Sequence, residues 1–205
     1  MIEYPRLQPG SQPVLACAPY QSTRRRAPSQ PLICLPHTLS ELTGPIYGHN
    51  PIGETDNDLT RHYPDPPQGE RIIVAGRILD EDGRGLPDAM VEIWQADPDG
   101  EYRPDFGWGR CGSDGEGRFS FVTVKPGRVD GQAPHLTVLV FARGLLKPVL
   151  TRMYFPDEAA ANEADPVLSA VPADDRATLV ARPDGDGLRF DVRLQGDGQT
   201  AFFTL

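Results

Sequence analysis

Alternation of apolar and polar positions sets in at Arg71 and recurs toward the C-terminus. Arg71-Ile72-Ile73-Val74-Ala75-Gly76-Arg77-Ile78 is β-branched and apolar, and Asp82-Gly83 beyond it supplies turn chemistry. Met90-Val91-Glu92-Ile93-Trp94-Gln95 alternates with period two. Arg118-Phe119-Ser120-Phe121-Val122-Thr123-Val124 does so again, which puts both phenylalanines on one face. Further strands are expected over His135 to Arg143 and Leu150 to Phe155, with a closing pair, Leu188 to Leu194 and Thr200 to Leu205, around the turn Gly196-Asp197-Gly198. About seven short strands separated by turn signals predict an all-β fold, a β-sandwich.

Helix signals are few. Pro156-Asp157-Glu158 before Ala159-Ala160-Ala161 places proline and acids at a helix start, Asp174 to Val180 has room for two turns, and one helical turn is expected from Thr38. Residues 1–31 are rich in Pro, Ser, Gln and Arg without an apolar period, so they read as an extended arm laid over another surface. Residues 32–205 are then the sandwich domain, loop-rich as far as Pro67.

Composition sharpens this picture. A chain of 205 residues suits one sizeable core, and 21 Gly with 22 Pro require short, numerous elements. The formal charge of −9 repels phosphate backbones, so nucleic acid is not an expected partner. Arg24-Arg25-Arg26, set between prolines, reads as a solvated or subunit-contacting turn. Cys17, Cys34 and Cys111 are odd in number and form no CxxC pair, which fits reduced thiols in a cytoplasm. The first twenty residues carry no secretory pattern and no apolar run reaches membrane-spanning length, so no membrane is expected.

Local motifs decide little by themselves. Gly107-Trp108-Gly109-Arg110-Cys111-Gly112 has dinucleotide-loop spacing, but Ser113-Asp114-Gly115 leads on to a strand where a helix N-terminus is needed. Asp97-Pro98-Asp99-Gly100 lacks the later ligands of a calcium loop and reads as a turn. Histidines 37, 49, 62 and 135 do not lie at the short spacings that usually build a metal site.

Several segments in order carry a family resemblance. Leu35-Pro36-His37-Thr38-Leu39-Ser40-Glu41-Leu42-Thr43-Gly44-Pro45, Val91-Glu92-Ile93-Trp94-Gln95-Ala96, Thr123-Val124-Lys125-Pro126-Gly127, Phe141-Ala142-Arg143-Gly144 and Thr151-Arg152-Met153-Tyr154-Phe155 resemble the intradiol ring-cleaving dioxygenases, within them the protocatechuate 3,4-dioxygenase subunits. That family pairs a catalytic β-type chain, giving two tyrosines and two histidines to ferric iron, with an α-type chain giving none. The β-type histidines form an H-x-H whose period two sends both rings to one face. Here the matching stretch is Ala133-Pro134-His135-Leu136-Thr137, so Thr137 stands where the second histidine would be. One tyrosine position falls in Arg128-Val129-Asp130, and the loop of the other is shortened to Arg103-Pro104-Asp105-Phe106-Gly107-Trp108.

The resemblance therefore implies an α-type subunit without iron ligands, its Fe(III) cofactor held by a β-type partner chain. Pro19-Tyr20-Gln21-Ser22-Thr23 and Asp56-Asn57-Asp58-Leu59 look β-like, whereas the part from Ala133 onward looks α-like. By the same resemblance Gly44, Pro45 and Arg143 reach the substrate pocket, where an aromatic acid, protocatechuate, is cleaved by dioxygen to 3-carboxy-cis,cis-muconate. A guanidinium fork suits a carboxylate substrate, though a strand-end arginine in an ordinary salt bridge is the plainer reading of Arg143. The alternatives are a non-catalytic β-sandwich module for binding or structure, and an enzyme with its own metal site built from His135 with His49 or His62.

Overall fold

The computed structural model describes residues 52–145 and 147–204; the arm, the turn expected at Thr38, and both Gly44 and Pro45 lie outside them. The described part is two stacked sheets with few short helices, the sandwich expected from the alternation. The chain enters through a one-turn helix, α1 (Leu59–His62), capped by the Asp58 carboxylate, which accepts from Thr60 N–H at 3.1 Å.

β1 (Arg71–Leu79) and β4 (Arg118–Val124) pair antiparallel in a register that sets Val74 opposite Phe121 and Gly76 opposite Phe119. Ile72, Val74, Ile78, Phe119 and Phe121 thereby turn inward. The second sheet runs in the order β3 (Trp108–Gly112), β2 (Met90–Trp94), β5 (His135–Phe141), β6 (Val149–Tyr154). Its inward residues, Val91, Ile93, Leu136, Val138, Val140 and Met153, complete the core. Burying such side chains contributes roughly 1.5–3 kcal/mol each, which explains why the alternation was readable.

β3 was not expected. Its Gly-Arg-Cys-Gly composition lacks β-branched residues, and it becomes a strand because β2 offers a free edge, pairing Glu92 with Arg110 and Trp94 with Trp108. The expected closing pair is corrected too. Residues 188–194 divide into β8 (Gly187–Arg189) and β9 (Val192–Arg193), and both lie parallel to β1. Thr200 exchanges hydrogen bonds with Arg193 across the turn, but instead of a ladder, Phe203 forms a bridge with Leu150. A short hairpin, β7 (Arg182–Asp184) with β8, ends this sheet, its proline confined to the edge strand. Gly76 is required where β9's approach begins, because a Cβ there would run into the Phe190 carbonyl.

The expected helix after Pro156 is α2 (Ala159–Ala164), followed by α3 (Pro166–Ala170), and the Asp174 to Val180 stretch is a 3₁₀ turn, Arg176–Leu179. Among the described residues no helix is long and apolar enough to cross a membrane.

Candidate functional site

Period two sends Glu92, Trp94, Trp108, Arg110, His135, Thr137, Arg152 and Tyr154 to the outer face of the four-stranded sheet. The register fixes one row straight across it, Trp108, Trp94, Thr137, Arg152. Thr137 is thus flanked by an indole that is 47% exposed and by a guanidinium. One step along, Arg110 and Glu92 form an ion pair at 2.9 Å, with side chains only 8% and 14% exposed, and the guanidinium lies 4.6 Å from the Trp108 ring centroid.

His135 opens β5, buried against Tyr154 with ring centroids 5.8 Å apart. Its Nδ1 meets the Ala133 carbonyl at 2.8 Å, and its Nε2 has no hydrogen-bond partner among the described residues. Desolvation holds the imidazole below its ordinary pKa, helped by the Arg152 charge and only partly opposed by the Ala133 carbonyl and Asp165. Burial likewise pushes the Tyr154 phenol up to about 12. Its hydroxyl donates to Asp165 at 3.2 Å, and that carboxylate also accepts from Ala133, Val167 and Leu168 N–H groups. One fully buried acid therefore ties the start of β5 to the cap of α3.

The two stretches matched to tyrosine positions are built otherwise. Gln132 N–H closes a tight turn on the Val129 carbonyl at 2.7 Å, with Asp130 at positive φ, and the Gln132 amide oxygen accepts from Arg152 at 2.7 Å. In the short loop, Arg103 and Asp105 pair bidentately while Phe106 is buried. Gly127 in the preceding Lys-Pro-Gly lies against the Pro98 carbonyl with no room for a Cβ.

These residues do not fit ferric iron. His135 is the one matched ligand, Thr137 carries a hydroxyl that stays protonated near neutral pH, and Tyr154 is held as a phenol in a hydrogen bond to Asp165. Among the described residues no three His, Cys, Asp or Glu side chains are arranged so that they could hold a metal ion. His62 lies 3.5 Å from Asp56 and stands edge-on to Tyr63 and Trp108.

Arg143 sits in the turn after β5, exposed, with Nε 3.1 Å from Asp88. Thr137 lies within β5, and Arg143 lies two residues past the strand's end at Phe141. The His135–Tyr154–Asp165 cluster was missed in the sequence, where only the Asp165-Pro166 pair, a cap residue followed by proline, hinted at it.

A dioxygenase family model matches residues 42–196, and a model described as the protocatechuate 3,4-dioxygenase beta subunit N terminal matches residues 4–38. The chain belongs to the intradiol dioxygenase family. Within it, the chain is 46% identical over 154 residues to the protocatechuate 3,4-dioxygenase alpha chain of Burkholderia cepacia, covering 67% of this chain and 78% of that one. It is 38% identical to the alpha chain of Pseudomonas putida, covering 84% and 98%, and 34% identical to the B. cepacia beta chain, covering 93% of each. The fold matches an intradiol ring-cleavage dioxygenase from Tetranychus urticae with TM-score 0.56 at 18% identity, covering 71% of this chain and 85% of that one.

Proposed function

We propose that this chain is an iron-free, α-type subunit of a protocatechuate 3,4-dioxygenase. A β-type partner holds the Fe(III), and this chain lines the pocket in which the aromatic acid meets dioxygen. The observation that carries the reading is Thr137, which stands on the outward face at the register position of a second histidine, beside a buried His135 whose neighbours are committed to Asp165. The two alpha chains, at 46% and 38% identity, support it, and the β-type match over residues 4–38 marks the arm as the exception.

Arg143 is the residue assigned to the substrate or to an acidic intermediate, with Gly44 and Pro45 as walls. Its Asp88 partner is more than half exposed, so exchanging that carboxylate for a substrate's costs little.

Expression of the chain alone and together with a β-type chain tests this. The isolated chain is expected to bind no stoichiometric iron and to be colourless, and the pair to be coloured and active. One iron per isolated chain, with ring-cleaving activity, would overturn the assignment.

A further inference from the structure

On the other sheet, away from the face that carries Thr137, a cavity of about 240 Å³ opens between the five-stranded sheet, the 3₁₀ turn and residues 198–200. Its floor is apolar, made by Leu79, Val180 and Phe190, and its charged lining is Arg182, Arg189, Arg193 and Asp191. Three guanidinium groups stand against one carboxylate, an excess of two positive charges in a chain whose formal charge is −9.

Among the described residues that excess is not relieved. Arg182 and Arg189 are directly opposed across β7 and β8, an arrangement of like charges that is unfavourable unless a counter-charge sits between them. Arg189 meets Asp191 through Nε and Nη2, both at 2.9 Å, and the other oxygen of Asp191 already accepts from Arg77 N–H at 3.0 Å. Arg193 spends one amino group on the carbonyls of Asp80 and Glu81, neutral acceptors that leave its charge in place. Arg182 makes no ion pair among the described residues.

We propose that this cavity binds a small organic carboxylate, with its acid group between Arg182 and Arg193 and its carbon skeleton on Leu79, Val180 and Phe190. Guanidinium forks match a carboxylate in two-pronged geometry, and the volume is below the range of drug-sized pockets, so the ligand is a single ring or a short chain. The apolar floor sets such a molecule apart from inorganic phosphate, which presents no hydrocarbon to bury.

Calorimetric titration of the full chain with benzoate, adipate and inorganic phosphate tests the assignment. Saturable binding of benzoate or adipate is expected, at least tenfold tighter than phosphate. Arg182→Ala is expected to weaken it about tenfold, and Arg182→Ala/Arg193→Ala further. Arg61→Ala, on the exposed end of α1, serves as the charge control and is expected to leave it unchanged. Arg182 is exposed and makes no ion pair among the described residues, so its loss is expected to leave the fold intact, which the melting temperature of the variant checks. No saturable carboxylate binding, phosphate binding as tight as benzoate, or equal affinities in parent and Arg182→Ala would each overturn the proposal.

Discussion

Two titratable side chains near the two ends of β5 stand in opposite settings. Arg143 is exposed and shares its charge with an equally exposed Asp88, so Arg143→Ala is expected to shift the melting temperature little, by the equivalent of less than about 1 kcal/mol. In the assembled enzyme the same change should raise the apparent Michaelis constant roughly ten- to hundred-fold, the value of one charge-assisted hydrogen bond, while iron content stays constant. Parent-like kinetics would return Arg143 to an ordinary surface ion pair. His135 is buried and neutral, and here the sign runs against acid. Its folded pKa lies below the unfolded value near 6.5, so the unfolded chain takes up the proton first and stability falls as pH drops through about 6.5. Urea midpoints between pH 5 and 8 should therefore converge for parent and His135→Leu on the acid side. A constant gap would show that the imidazole titrates as freely in the fold as outside it.

Strands and turns differ in how openly the sequence announced them. β1, β2, β4, β5 and β6 were readable because alternation and core burial coincide, as in β4, whose bounds match the expected segment. β5 stops at Phe141, two residues short of the expected end, where Ala142-Arg143-Gly144 turns with Gly144 at positive φ. β3 and the parallel docking of β8 and β9 were hidden, since each exists only because a neighbour presents an open edge, a tertiary fact without a local signature. The placement of His135 and Thr137 on one strand was legible from their spacing, whereas the Asp165 network was not, because it joins residues that are distant along the chain. Gly76 tests the docking directly. Gly76→Ala sets a methyl group against the Phe190 carbonyl and should cost at least about 2 kcal/mol, with faster proteolysis near residues 185–190 than in the parent. An unchanged urea midpoint and cleavage pattern would mean that β1 and the 188–193 segment can separate without loss.

For the whole molecule, the arm and the sandwich carry different affinities. Residues 4–38 match a β-type N-terminal model, while alpha chains match at 46% and 38% identity. Deleting residues 1–25 is expected to weaken co-purification with a β-type chain while the sandwich keeps its melting temperature. Full retention of the partner would remove the arm from the interface. The C-terminal completion of the first sheet has a further consequence, for biosynthesis. Arg77 N–H binds the Asp191 carboxylate 114 residues downstream, and Ile78 pairs with Val192. Until residues 187–193 have been synthesised, one side of β1 remains an open edge of unpaired amides, a template for association with any other nascent strand. Closing so long a loop is slow, and stalled or truncated chains are therefore the form of this protein most exposed to aggregation and most dependent on chaperones.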